Sequence, residues 1–244
     1  MRNKLKNYIL VFFCFFLLSK NVFANEPFVF NVTEIEILED GNQINGYKGG
    51  TATSEDGSII TAENFFYNKL TNILETSGNV KYLDKIKNIV ITTDKAIYLK
   101  NKEKIFTIDN SKAVSDNNTI TASNLEYDKI NNIFKAEENA VVTDLEKDTT
   151  IYANEIIYFK NDEKVFTKGK TKALIEKKYK FNSENVSYFR NSEDIFSQKK
   201  SSLEDESGNI YKLDSFSYNI NKELLKGKNV TVLAKVEENK EENK

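Results

Sequence analysis

Six tyrosines in this chain keep time with one another. Tyr67, Tyr98, Tyr127, Tyr158, Tyr188 and Tyr218 stand 31, 29, 31, 30 and 30 residues apart. Each closes a variant of one phrase, first complete from Ile60 to Tyr67 as Ile-Thr-Ala-Glu-Asn-Phe-Phe-Tyr. Self-similarity at a fixed period of this size marks a repeat architecture, in which a unit that cannot bury its own apolar face stacks on its neighbours. The constraint is severe, because whatever fold one unit takes, all six must take it in register.

Aligning the copies on their tyrosine exposes the pattern. Seven residues before it stand Ile60, Ile91, Ile120, Ile151, Phe181 and Tyr211. Five before it the residues are mostly small: Ala62, Thr93, Ala122, Ala153, Ser183 and Leu213. Two before it stand Phe65, Ala96, Leu125, Ile156, Val186 and Phe216. Spacing of two is strand periodicity. The first pair of columns is nevertheless out of phase with the second pair, so a β-bulge or corner between them is needed to return both to one face. Four before the tyrosine stand Glu63, Asp94, Ser123, Asn154, Glu184 and Asp214, all polar. They read either as a carboxylate ladder for cations or as side chains that a bulge turns to water.

After each tyrosine comes a polar stretch and then an apolar pair: Ile73-Leu74, Ile105-Phe106, Ile133-Phe134, Val165-Phe166, Ile195-Phe196 and Leu224-Leu225. Strand, polar turn and return strand follow. One repeat of about 30 residues is thus about two antiparallel strands. The return strands run on toward Val80, Val114, Val141, Leu174 and Val230. The tyrosines suit a core, where the ring supplies area and the hydroxyl needs a partner.

Residues 1–24 read as a secretory signal. Arg2, Lys4 and Lys6 precede an apolar stretch from Tyr8 to Leu18, and Val22-Phe23-Ala24 fits a cut after Ala24. The rest, from Asn25, is 220 residues without Cys or His. Four of the 35 cations precede the cut, which leaves 31 against 37 acids. That mildly acidic balance argues against nucleic acid. An exported chain without cysteine must be stabilised by packing rather than disulfides. The single proline, Pro27, precedes the first strand-like stretch, and ladders beyond it are free to lengthen. Residues 28–58, with Gly41, Gly46, Gly49 and Gly50, read as an atypical capping unit. No interior linker interrupts residues 25–233, so one domain is expected. Residues 234–244, mostly Glu, Lys and Asn, read as a polar tail or as the start of a further segment.

The composition removes several chemistries. Without His or mature Cys there is no His-based triad, no cysteine nucleophile and neither favoured zinc ligand. Gly49-Gly50 is no phosphate loop. No cofactor is expected. A charged fraction of 30% is too high for strands that face lipid across a bilayer. An enzyme is not expected, although a carboxylate-only glycosidase built on a β-helix is conceivable if acids converge at one rung.

The phrase apolar-x-Ala-x-x-apolar-x-Tyr, followed by a polar turn and a return ending Gly-Asn-Val, resembles the OstA-type repeat. Ile60 to Tyr67 with Gly78-Asn79-Val80 carries it best, and Ile120 to Tyr127 with Asn139-Ala140-Val141 carries it without the glycine. That family includes the lipopolysaccharide-transport protein LptA and the N-terminal domain of LptD. The resemblance covers residues 28–233 and implies an all-β, folded-over antiparallel sheet, the β-jellyroll, with an apolar groove for lipopolysaccharide acyl chains. It further implies a periplasmic location and other Lpt-type proteins as partners through edge-strand pairing. The chain could be an LptA-like bridge or, given its length, an LptD-type amino-terminal portion attached to the outer membrane. The inward columns, and hence the expected groove walls, are Ile60, Phe65, Tyr67, Leu74, Ile91, Tyr98, Phe106, Ile120, Leu125, Phe134, Ile151, Ile156 and Phe166. Two rivals use the same periodicity: a secreted structural β-solenoid with a closed core and no ligand, and the β-helix enzyme.

Overall fold

The computed structural model describes residues 27–235. The expected signal segment at 1–24 and most of the tail at 234–244 lie outside the described residues. Strands β1 (Phe28–Leu38) and β2 (Gln43–Ser54) open the sheet, followed by the short β3 (Ile59–Ala62) and β4 (Asn64–Asn68). Seven long strands come next: β5 (Ile73–Asp84), β6 (Ile89–Leu99), β7 (Lys104–Ser115), β8 (Asn118–Asp128), β9 (Ile133–Asp144), β10 (Thr149–Phe159) and β11 (Lys164–Ile175). Eight shorter strands finish it: β12 (Tyr179–Glu184), β13 (Ser187–Phe189), β14 (Asp194–Ser197), β15 (Ser201–Glu204), β16 (Ile210–Leu213), β17 (Ser215–Asn219), β18 (Leu224–Lys228) and β19 (Thr231–Leu233). Every pairing is antiparallel, and β5 through β11 run as a meander in which each strand joins the ones before and after it.

The bulge that the phase slip demands is there. Register shifts fall between Thr92 and Lys95, Thr121 and Asn124, and Ala153 and Glu155, bracketing Asp94, Ser123 and Asn154. Where the outgoing strand is interrupted outright, the break falls at Glu63, between β3 and β4, and at Asp214, between β16 and β17. The return strands turn the same corner with paired left-handed residues: Gly78-Asn79, Asp109-Asn110 and Glu138-Asn139. Asn tolerates this conformation because its short polar side chain bonds locally. Each long strand therefore bends in its middle, and the sheet folds over into two facing layers.

The layers meet through side chains that alternate inward on both. Tyr82 of one layer lies 6.3 Å from Tyr127 of the other, and Phe181 lies 4.9 Å from Phe216. All six clock tyrosines are fully buried. Cross-strand pairing sets them in one row that alternates with aliphatic or aromatic partners: Tyr67 with Leu74, Tyr98 with Ile105, Tyr127 with Phe134, Tyr158 with Val165 and Tyr188 with Ile195. The partner is always seven residues after the tyrosine.

The turns come in two kinds. After Tyr67, Tyr127 and Tyr218 the next residue is Asn68, Asp128 or Asn219, whose side chain accepts the amide three residues on, at 3.0, 2.9 and 3.0 Å. This is the Asx turn that such residues favour. After Tyr98 and Tyr158 the turn is a 3₁₀ segment, Lys100–Lys102 or Lys160–Asp162. Both kinds end in a left-handed residue five after the tyrosine: Asn72, Glu103, Asn132, Glu163, Glu193 and Glu223. Left-handed Glu is unusual, and in the earlier copies the tyrosine hydroxyl fixes the position. Tyr67 donates to Asn72 at 2.9 Å, Tyr127 to Asn132 at 3.1 Å, Tyr158 to Glu163 at 3.4 Å, and Tyr98 to Glu103.

Candidate functional site

The interior between the layers is the candidate site. Ile60, Phe65, Tyr67, Leu74, Ile91, Tyr98, Ile120, Leu125, Phe134, Ile151 and Ile156 all point into it and are buried. They come from both layers and from every strand between β3 and β10 except β7, so the bend turns both halves of the strands toward one interior.

Phe106 and Phe166 are the corrections. Both lie on the outer face of their layer and are half-buried there. Counting seven residues from the tyrosine selects Ile105 and Val165 as the inward residues, and both are buried. The apolar pair after the turn starts one residue later in these copies than in those of Leu74 and Phe134. Its second member therefore faces out, since a slip of one flips a strand side chain to the opposite face. The return strands show the same effect farther on. Val80 is buried, but Val114, Val141 and Leu174 face outward, while the neighbouring Tyr82, Ala113, Val142 and Ala173 take the inward positions. The outward Phe166 packs edge-on against Phe159 and Phe189, at 5.6 and 5.9 Å.

One inward row sets large residues against small ones, except around Ala96, where both cross-strand neighbours are small. Phe65 pairs across to Thr76, Ala96 to Thr107, Leu125 to Ala136 and Ile156 to Thr167. The interior is filled by the chain's own side chains rather than left as an open channel, as the near-complete burial of these columns shows.

The acidic column at the corners has a structural occupation. Asn79 Nδ2 donates to Glu63 Oε1 at 2.6 Å, Asn110 Nδ2 to Asp94 Oδ2 at 2.6 Å, and Asn229 Nδ2 to Asp214 Oδ2 at 2.7 Å. In these copies the carboxylate bridges its own corner to the left-handed asparagine of the next strand.

Opposite the corners, the turns of the two layers meet in a seam closed by charge, which sequence reasoning missed. Lys129, in the turn after β8, is buried. Its Nζ lies 2.6 Å from Asp56 Oδ2, 3.2 Å from Glu103 Oε2 and 2.9 Å from the Tyr98 hydroxyl. The same ammonium sits 5.7 Å from the Tyr82 ring centre and 5.2 Å from that of Tyr98. Burial works to raise the Asp56 carboxyl, but hydrogen bonds from Lys129, Ser54 and the Ser58 amide outweigh it and hold it well below the usual carboxylate range. Farther along the seam, Lys160 meets Asp116 at 2.6 Å. Arg190 then reaches Asp144 at 2.7 Å, Glu146 at 2.5 Å and Glu163 at 3.4 Å, while Lys147 pairs with Glu193. Arg190 is the only arginine beyond Arg2 in a chain whose other cations are lysines. A planar fork suits three carboxylates in a way an ammonium does not. Lys129, Lys160 and Arg190 each stand two residues after an inward tyrosine, a local position that does not tell which carboxylate of the opposite layer each will meet.

These features define a folded-over, all-β repeat protein with a packed apolar interior, corner bridges on one side and an ion-paired seam on the other. No protein-family model matches the chain, and no curated protein matches it. Among solved structures, LptH from Pseudomonas aeruginosa aligns with 46% of this chain and 83% of its own at 16% identity, with a TM-score of 0.40. It is described as the LptA-homologous periplasmic component of the lipopolysaccharide transport device. The TCP10 domain of Danio rerio CPAP aligns with 82% of this chain and 98% of its own at 9% identity, with a TM-score of 0.20. Alignments this distant transfer no function.

Proposed function

We propose that this chain is a non-catalytic carrier of lipopolysaccharide in the periplasm, taking the acyl chains between its two layers on the way to the outer membrane. It would act as an LptA-like bridge or as the amino-terminal portion of an LptD-type protein. The observation that carries the reading is one uninterrupted apolar interior shared by all six repeats and running between two sheet edges that are unpaired among the described residues. A ligand in such an interior meets near-equal sites rung after rung, as movement along the stack requires. Burying a twelve-carbon acyl chain is worth about 10 kcal/mol, enough to offset partial displacement of packed side chains. The edges support partner pairing. At β1, Ile35, Ile37 and Leu38 are exposed, and at the far edge Leu224, Val232 and Leu233 are exposed. Open strands of this kind accept an added strand from another protein.

A second reading, a structural β-solenoid with no ligand, is favoured by the near-complete burial of the inward columns. Binding of the chain from Asn25 onward to lipopolysaccharide, against the same glycan stripped of acyl chains, separates the two. Acyl-dependent binding at micromolar concentration is expected of the carrier. Absence of binding to both ligands would leave the solenoid.

A further inference from the structure

The corner column is not bridged along its whole length. Glu63, Asp94 and Asp214 are each held by a left-handed asparagine. The third and fourth copies carry Ser123 and Asn154 in place of the acid. In the fourth and fifth copies the answering position, twelve residues after the tyrosine, changes as well. Asn79, Asn110 and Asn139 give way there to Lys170 and Lys200. Beside Lys170, Gly169 has φ +76°, and a Cβ added to it would meet nothing within 4 Å. The middle of the stack therefore has an open corner with lysines where the bridge would be.

Two adjoining grooves of about 590 and 570 Å³ open over this stretch and share Lys170, Asn182 and Ser183. Tyr152, 40% exposed, lines the first. Cross-strand register continues its outward row as Lys172, Asn182, Ser202 and Lys212, one residue per strand. Neighbouring strands lie about 4.8 Å apart, so the row offers a new side chain at each such step. That step is close to the advance of one sugar ring along an oligosaccharide. Unlike the seam cations, Lys170, Lys172, Lys200 and Lys212 are exposed and pair with no carboxylate among the described residues. The exposed amides of Asn139, Asn154 and Asn182 are likewise unengaged among the described residues. The acids of the lining are Glu184 and Asp214, and Asn229 already holds the second.

We infer that this groove is a binding site for an acidic oligosaccharide. A sugar ring has an apolar C–H face and hydroxyls around its edge. The Tyr152 ring suits the face, since tyrosine joins apolar area to a polar tip. Side-chain amides donate and accept at once, which matches hydroxyls that do the same. The ammoniums take the acid groups of the glycan. Four of them against two carboxylates leave the groove positive on a chain whose acids outnumber its cations. The outward row is polar beyond Val141 and Tyr152, so it has no room to bury an acyl chain. The site lies on the outer face, away from the packed interior, and stands whether that interior carries a ligand or is a closed core.

The test is calorimetric titration of the chain from Asn25 onward with hexagalacturonate. The comparisons are its methyl ester, in which every carboxylate is neutral, phosphorylated maltohexaose, and hexaglutamate, an anion without sugar. The variants are Tyr152→Ala, Lys170→Gln/Lys172→Gln and Lys81→Gln, the last an exposed lysine of the same outward row beyond both grooves. All four positions are exposed, and an unchanged melting temperature confirms the fold. The wild type should bind hexagalacturonate more tightly than the ester or hexaglutamate. Tyr152→Ala and the double lysine variant should each weaken it about tenfold, or about 1.4 kcal/mol, with Lys81→Gln unchanged. Only the lysine variant should lose the preference for acid over ester. Tighter binding of phosphorylated maltohexaose, weakened by the same variants, would support the site and make phosphate its preferred acid. Hexaglutamate bound as tightly as the glycans would reduce the groove to a basic surface and overturn the inference. So would groove variants that bind like wild type, or a wild type that binds no acidic glycan. Neither failure touches the acyl-dependent binding that tests the carrier.

Discussion

Lys129 shows what one residue contributes here. Its ammonium is buried with Asp56 and Glu103 as counter-ions and two tyrosine rings alongside. Lys129→Met leaves carboxylates that water still reaches, with Asp56 43% exposed, so the loss in urea unfolding should be about 1–2 kcal/mol. The carboxylates around Lys129 give the seam its pH dependence. At Glu103 too, burial raises the carboxyl but hydrogen bonds from Lys100 and Tyr98 and the charge of Lys129 outweigh it, and it lies below its ordinary value. Folded values below unfolded ones mean stability that is complete above about pH 4–5 and drains away as pH falls further. Unfolding free energy should therefore be level from neutral to about pH 5 and fall below it. The fall should be shallower in Asp56→Asn, and equal slopes in the two proteins would remove this role from Asp56.

At the scale of an element, the corner decides the layer. Gly78 has φ +81°, and a Cβ there would lie 2.5 Å from the Glu63 carboxylate that Asn79 holds. Gly78→Ala combines left-handed strain with displacement of that bridge. It should lose about 1–2 kcal/mol, read as a lowered urea midpoint at constant slope. Gly50 is more demanding. A Cβ there overlaps the Asn31 carbonyl oxygen and sits 2.6 Å from Val32 Cα, both backbone atoms of β1. Gly50→Ala should therefore loosen β1 specifically, with hydrogen exchange accelerating at the β1–β2 amides and unchanged at β8 and β9. Uniform acceleration across the sheet would show that β1 does not come away as a unit.

The whole molecule behaves as one stack, and two of its properties follow from that. Burial pushes the phenols of Tyr82, Tyr98, Tyr127, Tyr158, Tyr188 and Tyr218 above their ordinary value. A raised folded value means stability that is present below about pH 10 and lost as pH rises beyond it. Tyrosinate absorbance should appear together with loss of the β-sheet circular dichroism signal, in one transition above about pH 10. Separate transitions would mean that the tyrosines ionise without opening the layers. The open edges make the stack sticky at its ends. Concentration-dependent, end-to-end association is expected in sedimentation, and Ile37→Lys on β1 should suppress it, because an edge charge blunts strand pairing. Association that persists unchanged in this variant would move the contact away from β1.

The period, the strand pairs and the corner were all legible in the sequence, because each is a local property. Spacing of two, a phase slip of one residue and an Asx after the tyrosine are written within a single 30-residue unit. Hence Ile60, Leu125 and Phe134 could be assigned inward before any fold was known. Phe106 and Phe166 were misread because an apolar pair offers two candidates and only the cross-strand register selects between them. That register was available by counting seven from the tyrosine, but pairing is what gives the count its meaning. The seam was not available at all. Asp56 and Lys129 are separated by 73 residues, and Asp144 and Arg190 by 46. Nothing local distinguishes Lys129 from the other turn lysines. Only the fold-over at the corners brings the far ends of the strands together, and only there does a lysine lose its water and pair with a carboxylate of the opposite layer.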